Sequence, residues 1–453
     1  MNIRRHDLPL YECHPYTLPA ITRHRLINST LTAGGALAAS KVAASTTALP
    51  PVLGPLVGHT EATRTMIWLR PDTAGDYMLE LAPAAGGEPR LLPARAAVEN
   101  DLCLHWRVED LNPATAYRYR ILAGGKPIAD DPAQKLVTAP PLEAPARVRF
   151  AISSCAKEDS GSRAVWNRIA AEDVDAVVLI GDTPYIDSAE LETQTRRHRE
   201  FAAVAEYQQL LRSRPCWWTW DDHDFATNGC CGLAPGKENS RLVFTRYRPQ
   251  ASYGDGTNGI YTSFRYGPVE VFLLDTRWFS MTEPSFANPG SPTLLGAAQW
   301  EWLQRGLRAS TAPFKLLACG VIRDDKENTE SDDWGTYLKE RRVLERFIAT
   351  HRIPGVVFMG GDIHPSRVLR YQTMDTVGYN LVQFIASPIH SSVIPSLNVY
   401  NPNLVRSAVE PHVFLLVDVD STVSPARLQG TLVNSRGERV FSYALTLADL
   451  TAV

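Results

Sequence analysis

The sequence predicts an α/β domain preceded by an all-β sandwich, and three patterns support this fold class. Short strands of alternating polarity, separated by Gly, Pro and Asn turns, fill residues 51–145. Over residues 146–453, apolar strand-like runs alternate with helical runs, which is typical of βαβ units. Most of these apolar runs end in a residue that can bind a metal ion or transfer a proton. Because ligands bind outside the carboxyl ends of strands in open α/β sheets, we expect a metal-dependent enzyme.

Length and composition narrow the class of protein. A chain of 453 residues is too long for one ordinary domain, and its 44% hydrophobic and 21% charged residues are typical of globular proteins. A net charge of -3 provides no overall basic field, so we expect no sequence-specific nucleic-acid partner. No apolar run reaches the roughly 18 residues of a membrane-spanning helix. The sequence does not predict the oligomeric state.

Residues 1–50 show no sustained periodicity, and we expect them to be a disordered segment. Within this segment, the basic residues 23–25 precede a mildly apolar run at 26–39 and then small residues. That order resembles a degenerate export signal, because a basic region, an apolar region and small residues follow one another. We therefore expect export to the periplasm or the cell exterior, with the cytoplasm as the alternative.

The sandwich is expected to contain strands at residues 65–70, 77–82, 102–108 and 117–123. A turn in "LNPATAYRYRI" leads into the last of them and places Tyr117 and Tyr119 on one face. Such a corner is common in fibronectin-like sandwiches, whereas an ordinary surface hairpin is the alternative.

The α/β region is expected to contain helices at residues 162–172, 189–212, 296–310 and 336–350. Strands are expected near its end at residues 379–385, 413–419, 427–433 and 440–447. A mixed domain that closes with antiparallel strands fits this order.

Asp182 and Tyr185 directly follow the buried strand "VVLI". A carboxylate at a strand end can bridge two cations, and a tyrosine can bind ferric iron as a phenolate. The alternative is a structural turn, since Gly, Asp and Pro are all turn residues.

The segment "WDDHD" places three carboxylates around His223 after a run rich in Trp. These carboxylates would repel one another without a cation, so we expect one of the three aspartates to bind metal. His223 would then be free to transfer a proton or to contact a bound anion. A solvated acidic loop is the alternative.

Three further residue groups have candidate roles. Asp362 and His364 follow two glycines, which allow close backbone approach, and both are candidate metal ligands. Cys155 is a candidate thiolate ligand, with a nucleophile or an inert buried thiol as alternatives. Arg277 and Lys237 are candidate substrate-binding cations, or else a structural ion pair and a solvent-facing loop residue.

The residues resemble the alkaline phosphatase D (PhoD-like) family of the calcineurin-like metallophosphatase superfamily. The resemblance spans about residues 150–370 and rests on a set of ordered motifs: "SSC", "VVLIGDTPY", "WTWDDHDFATN", "FLLDTRWF", "LGAAQWEWL", "DDWGTYLKERRVLERFI" and "VVFMGGDIH". It implies a four-layer α/β/β/α catalytic domain with a binuclear centre, preceded by a fibronectin-like sandwich.

The resemblance also implies the ligands. Cys155, Asp182, Tyr185 and His364 would hold Fe³⁺, and Asp182 would bridge to a second site. Asp222, Asp362 and Asn228 would complete that site around Ca²⁺, with Mn, Zn or Mg as alternatives. His223 would bind the phosphoryl group or protonate the leaving oxygen, and Asp222 would also take part in catalysis.

The implied activity is hydrolysis of phosphodiesters, phosphomonoesters or both by a metal-activated water. A hydrolase of another ester class that uses the same centre is one alternative. A non-catalytic binding scaffold is the other.

Overall fold

The computed structural model describes residues 50–324, 326, 330 and 332–452. The prediction of a disordered segment and of an export signal falls on residues 1–50, nearly all of which lie outside the described part of the chain. None of the helices in the described residues has the length and apolar character that a bilayer-spanning helix requires.

The first region is all-β, as predicted. Its strands are β1 (Leu53–Thr60), β2 (Thr65–Arg70), β3 (Gly75–Pro83), β4 (Arg90–Ala96), β5 (Leu104–Val108), β6 (Ala116–Ala123), β7 (Lys126–Ala129) and β8 (Lys135–Val137). One sheet has the order β1-β2-β5, and the other has the order β4-β3-β6-β7 with β8 paired to β6. A single apolar cluster containing Ile67, Leu79 and Trp106 joins the two sheets.

The corner at Tyr117 is present. The backbone N–H of Asn112 donates a hydrogen bond of 2.8 Å to the hydroxyl of Tyr117. Tyr117 and Tyr119 are both buried, so the turn is not an ordinary surface hairpin. The hydroxyl of Tyr119 donates to the carbonyl of Arg212, 2.8 Å away, and so connects the sandwich to the following region.

The second region is α/β. Its strands are β9 (Arg147–Ser153), β10 (Ala176–Ile180), β11 (Cys216–Thr219), β12 (Thr262–Tyr266), β13 (Val269–Leu273), β14 (Pro284–Ser285), β15 (Asn288–Pro292), β16 (Phe314–Ala318), β17 (Val356–Gly360), β18 (Ser366–Arg370), β19 (Val382–Ile385), β20 (Leu404–Ala408), β21 (Val413–Asp420), β22 (Arg427–Asn434) and β23 (Arg439–Thr446). Its helices are α1 (Ser160–Ala171), α2 (Leu191–Ala202), α3 (Ala205–Leu211), α4 (Asp222–Phe225), α5 (Lys237–Tyr247), α6 (Gly296–Ala309), α7 (Leu338–Thr350) and α8 (Met374–Val377).

Two large mixed sheets form this region. One has the order β11-β10-β9-β21-β22-β23, in which β9, β10 and β11 are parallel and the last three strands are antiparallel. The other has the order β12-β13-β16-β17-β19-β18-β20, in which β13, β16, β17 and β19 are parallel. The parallel strands of each sheet therefore end at the same edge.

The alternating faces of β9 and β10 divide the core into two clusters. Phe150 and Val178 belong to a cluster that also contains Phe384 of the other sheet. Ala151 and Val177 belong to a second cluster that contains residues of α1, α2, α3 and α5. Consequently, one face of the first sheet contacts the second sheet, and its other face contacts helices.

The predictions of helices were incomplete. The helix predicted at 189–212 is two helices, α2 and α3, separated by Ala203 and Val204. Helix α5 was not predicted, because its first residues, "KENS", are polar and follow Pro-Gly.

Candidate metal centre

The loops after five strands are joined by backbone hydrogen bonds. The N–H of Cys155 donates to the carbonyl of Gly181 (3.1 Å), and the N–H of His390 donates to the carbonyl of Cys155 (3.0 Å). The N–H of Gly361 donates to Gly320 (2.7 Å), and the N–H of Ala386 donates to Gly360 (3.0 Å). These bonds connect the ends of β9, β10, β16, β17 and β19, so both sheets contribute to one site.

Four of the predicted ligands have an unusual backbone conformation. The φ angles of Cys155, Asp182, Asp362 and His364 are 60°, 53°, 65° and 66°. Residues other than glycine rarely adopt positive φ, and such strained residues concentrate at functional sites. The surrounding hydrogen bonds hold the four side chains in positions that the unconstrained chain would seldom adopt.

The backbone at Gly361 lies close to Ser154, as the two glycines before Asp362 predict. A Cβ atom on Gly361 would lie 2.3 Å from Oγ of Ser154. Because real Cβ contacts are never that short, only glycine allows the loop with Asp362 to lie against the end of β9.

A thiol, a carboxyl, a phenol and an imidazole meet on one side of the site. Sγ of Cys155 lies 3.5 Å from Oδ2 of Asp182, and the hydroxyl of Tyr185 lies 3.0 Å from Nε2 of His364. Cys155, Asp182 and His364 are all buried. The structure therefore brings together the four residues predicted to hold the first metal, and their role as ligands stays a prediction.

Burial changes the pKa values of Asp182 and Cys155. Burial, together with the nearby carboxylate of Asp222, raises the pKa of Asp182 well above its ordinary value. Burial and the carboxylate of Asp182 likewise raise the pKa of the Cys155 thiol. A bound cation would favour the charged forms of both groups, since it is the largest local charge in such a site.

His390 belongs to this group and was not predicted. Its Nε2 atom lies 3.0 Å from the hydroxyl of Tyr185, and its side chain is fully buried. Burial, with the neighbouring His364, lowers the pKa of His390 to about 3, so the ring is neutral. The sequence signal was the end of β19, where "ASPIH" follows a buried apolar run.

Two groups of side chains offer oxygen and nitrogen atoms close enough to hold a cation. One contains Asp182, Asp222 and His223, and the other contains Asp221, Asp222 and Asp362. Within each group the candidate ligand atoms lie within 4.8 Å of one another. Asp222 is common to both, and Asp221 was not among the predicted ligands.

One buried carboxylate oxygen of Asp221 and one of Asp222 have no hydrogen-bond donor among the described residues. Within the described residues, Oδ2 of Asp221 and Oδ1 of Asp222 accept no hydrogen bond. Buried polar atoms normally have partners, so these two oxygens fit a site for a cation.

Arg277 and Lys326 form ion pairs with carboxylates of the second group. Nη2 of Arg277 lies 2.5 Å from Oδ1 of Asp221, and Nζ of Lys326 lies 2.6 Å from Oδ2 of Asp362. Although burial alone would raise it, Arg277 holds the pKa of Asp222 below its ordinary value. Asp222 is therefore a carboxylate even before a metal binds.

Arg277 does not contact the substrate as predicted. Its side chain is 0% exposed, and its Nη1 atom donates to the carbonyl of Cys230 (3.0 Å) and to Oδ2 of Asp332 (2.7 Å). The prediction was wrong because the strand end was known but the burial of the guanidinium was not. Arg277 instead positions Asp221.

The ammonium group of Lys237 also forms hydrogen bonds within the protein. Its Nζ atom donates to the carbonyls of Gly232 (2.7 Å) and Trp278 (3.1 Å), and it lies 4.4 Å from the ring centroid of Trp278. These contacts hold the ammonium group against the protein, and the contact of Lys237 with a substrate stays a prediction.

Asn228 lies on the exposed turn after α4. Its Nδ2 atom donates to Oε1 of Glu330, 2.9 Å away, while the N–H of Gly229 donates to Oδ2 of Asp222, 2.6 Å away. The turn thus lies beside Asp222, and the role of Asn228 as a ligand stays a prediction.

The ring of His223 is partly exposed and is held by a carboxylate. Its Nδ1 atom lies 2.5 Å from Oδ1 of Asp187, and its side chain is 21% exposed. Burial opposes its charged form, but Asp187, Asp222 and Asp182 raise the pKa of His223 to about 10. Asp187 was not predicted, although it follows Tyr185 by only two residues.

Asp224, the third carboxylate of the acidic segment, has a structural role. Its Oδ1 atom accepts from the N–H of Asp221 (2.6 Å), and its Oδ2 atom accepts from the N–H of Thr183 (3.3 Å). Asp224 therefore connects the loop of Asp182 to the loop of Asp222. The acidic segment is buried rather than a solvated loop.

Comparison with known structures shows the fold. The solved structure of PhoD is 18% identical, with a TM-score of 0.73 over 89% of this chain and 92% of that chain. The purple acid phosphatase PPD1 from yellow lupin (Lupinus luteus) seeds is 13% identical, with a TM-score of 0.63 over 87% of this chain and 74% of that chain.

Comparison of sequences shows the family. Alkaline phosphatase D of Bacillus subtilis (strain 168) is 26% identical over 313 residues, which are 58% of this chain and 53% of that protein. The chain thus spans about half the length of this curated relative. A family model described as PhoD-like phosphatase matches residues 150–414, which is more than half of the sequence. The chain therefore belongs to the PhoD-like phosphatase family.

Proposed function

We propose that the chain is a metal-dependent phosphoesterase that hydrolyses phosphate monoesters, phosphate diesters or both with water at a binuclear centre. One observation carries the proposal: the loops after both sheets bring Cys155, Asp182, Tyr185 and His364 beside the carboxylates around Asp222. The family and its alkaline phosphatase D member support the same class of reaction.

The proposal includes the arrangement of layers. The two sheets share one apolar cluster, and helices pack against the first sheet in another. Helices α6 and α7 contribute Leu303 and Leu344 to the cluster that holds the second sheet. We propose that these contacts form a four-layer α/β/β/α domain, and that the preceding strands form a fibronectin-like sandwich.

The first group of residues fits Fe³⁺. A thiol, a phenol, a carboxyl and an imidazole converge there, and thiolate and phenolate ligands favour iron over a hard divalent cation. Cys155, Asp182, Tyr185 and His364 would hold the ion, with His390 adjacent to the phenol.

The second group fits a hard divalent cation such as Ca²⁺, because it offers buried carboxylate oxygens without donors. Asp222 and Asp362 would hold it, with Asn228 as a further ligand and Asp182 between the two sites. Mn, Zn and Mg are the alternative occupants, because carboxylate oxygens also bind these ions.

When bound, the two cations would orient the phosphoryl group, neutralise charge on its oxygens and lower the pKa of a water molecule. The protein supplies the remaining elements. Asp187 holds Nδ1 of His223 and so fixes the orientation of the ring. Nε2 of His223 has no hydrogen-bond partner within the described residues and can donate a proton to the leaving oxygen. Arg277 and Lys326 keep the carboxylates of Asp221 and Asp362 in place.

The first experiment is elemental analysis with a visible spectrum of protein purified without a chelator. We expect near-stoichiometric iron and a charge-transfer band that disappears in Tyr185→Phe. The matched control is Tyr379→Phe, because Tyr379 is a buried tyrosine whose hydroxyl contacts the carbonyl of Ile353 outside the site. This control should keep the band.

Activity is then measured on 4-nitrophenyl phosphate, bis(4-nitrophenyl) phosphate and 4-nitrophenyl acetate. Hydrolysis of either phosphate ester supports the proposal. Activity on the acetate alone would indicate a hydrolase of another ester class. A folded protein without bound metal or activity would indicate a binding scaffold.

We also propose that the protein is exported, because residues 23–39 resemble an export signal. Cell fractionation of the full chain tests this proposal. Recovery only from the cytoplasm, with residues 1–50 intact, would contradict it.

A further inference from the structure

Lys157 lies two residues after Cys155 and is fixed at the edge of the candidate metal centre. The N–H of Ala156, between them, donates to the carbonyl of Asp182, 2.9 Å away. The N–H of Lys157 donates to Oγ of Ser162 in the first turn of α1, 3.3 Å away. The backbone of Lys157 is therefore held on both sides, while its long side chain extends towards the site.

The ammonium group of Lys157 lies over Tyr185. Its Nζ atom is 4.4 Å from the centroid of the Tyr185 ring, and the side chain is only partly buried.

Other cationic side chains around the site already have partners. Arg277 and Lys326 pair with buried carboxylates, Lys237 donates to two carbonyls, and Arg197 pairs with two glutamates. Among the residues that the structure describes, Lys157 has no carboxylate within ion-pair distance. It is therefore a partly exposed, uncompensated positive charge at the edge of a site lined by carboxylates.

We propose that the ammonium group of Lys157 binds a non-bridging oxygen of the substrate's phosphoryl group and favours dianionic monoesters over monoanionic diesters. This inference rests on the proposed function. An ammonium group is a compact point charge that binds phosphate oxygens, and its attraction grows with the charge of the anion. A diester has one fewer negative oxygen and therefore gains less from the same contact.

The test compares Lys157→Met and Lys157→Arg with wild type. KM and kcat are measured for 4-nitrophenyl phosphate and for bis(4-nitrophenyl) phosphate, together with the inhibition constant of inorganic phosphate. In Lys157→Met we expect KM for the monoester and the phosphate inhibition constant to rise about tenfold, as the loss of about 1.4 kcal/mol of binding requires. KM for the diester should rise less than about twofold, and kcat should change little. Lys157→Arg keeps the charge and should restore most of the phosphate affinity.

Lys126→Met is the matched control, since Lys126 is an exposed lysine of strand β7 in the sandwich. It removes one positive charge at a distance from the site and should leave every constant unchanged. Metal content is measured for all variants.

An unchanged phosphate inhibition constant in Lys157→Met would overturn the inference, and so would equal changes in KM for both esters. A loss of bound metal without a change in the phosphate constant would show a structural role and would also overturn it. A metal-loaded wild type that hydrolyses neither ester would instead contradict the proposed function.

Discussion

Nδ1 of His223 lies 2.5 Å from Oδ1 of Asp187, so the ring of His223 is held by a carboxylate from the loop that also carries Tyr185. The carbonyl of His223 in turn accepts hydrogen bonds from the N–H groups of Ile186 (2.9 Å) and Asp187 (3.0 Å). The loop after β10 therefore holds both the side chain and the backbone of His223.

Asp187→Asn should reduce catalysis while preserving the fold. The amide keeps the size of the side chain but removes the charge that orients the imidazole, and general acid–base catalysis contributes about 10²–10⁴-fold to rates. We expect kcat to fall at least about tenfold, with KM within about threefold. Steady-state kinetics measure this change. Asp173→Asn alters a carboxylate that is 98% exposed and serves as the control, and equal activity of the two variants would contradict the assigned role.

His390→Gln should weaken metal binding. The side chain of His390 contacts the Tyr185 hydroxyl at 3.0 Å, and loss of residues that orient metal ligands typically reduces affinity about 10- to 100-fold. Metal titration followed by the visible band measures the change. His351→Gln, at an exposed position after α7, is the control. An unchanged affinity would place His390 outside the metal centre.

Arg277→Met should destabilise the protein. The variant leaves the buried carboxylates of Asp221 and Asp332 without their cation, and breaking a buried ion pair in this way costs about 3–5 kcal/mol. Urea unfolding measures the loss. Arg305→Met is the control, because the pair of Arg305 with Glu301 is exposed and is expected to contribute less than about 1 kcal/mol. A loss of phosphate affinity with unchanged stability would instead restore the role in substrate binding.

The free energy of unfolding should fall at acid pH because of Asp101. Asp101 pairs with Arg70 and Arg199 and accepts a hydrogen bond from Tyr247, so it connects the sandwich to the α/β region. Burial opposes the charged form, but Arg199, Arg70 and Tyr247 lower the pKa of Asp101. Its contribution is therefore fully present above the unfolded-state pKa of about 3.9 and is lost as the pH falls through the lower folded-state pKa.

Asp101→Asn should accordingly lower the free energy of unfolding at neutral pH by about 1–3 kcal/mol. The difference from wild type should shrink below about pH 4. Urea unfolding at several pH values measures both effects. Asp72→Asn, at an exposed position, should show neither, and a difference that does not depend on pH would contradict the linkage.

Removal of metal should lower the melting temperature. The carboxylates of Asp182, Asp221, Asp222 and Asp362 lie close together, and a ligand that binds only the folded state stabilises it by mass action. We expect chelation to lower Tm by several degrees and reloading to restore it. Asp182→Asn should respond much less to the chelator. Identical Tm values with and without metal would contradict a metal centre in this group.

The sequence predicted much of the site because strand ends can be recognised from local patterns. Asp182, Asp222, Asp362 and His364 each lie two to four residues beyond the end of a strand, and the edge of a sheet brings such positions together. His390 was missed because it lies five residues beyond the end of β19.

Arg277 was misassigned for a different physical reason. Its position after β13 is correct, but its contacts depend on burial against distant segments. Asp332 and Cys230 pair with Arg277 from loops far away in sequence. No local pattern reveals such a partner. The break between α2 and α3 was missed because Ala203 and Val204 are compatible with the helical pattern.

The candidate ligands of the two sheets are far apart along the chain. Cys155, Asp182 and Asp222 precede Asp362, His364 and His390, and the loops of both groups must interlock before the site exists. A chain that lacks the second group has only half of these side chains, so we expect the site to form only after both segments have been synthesised and have folded together.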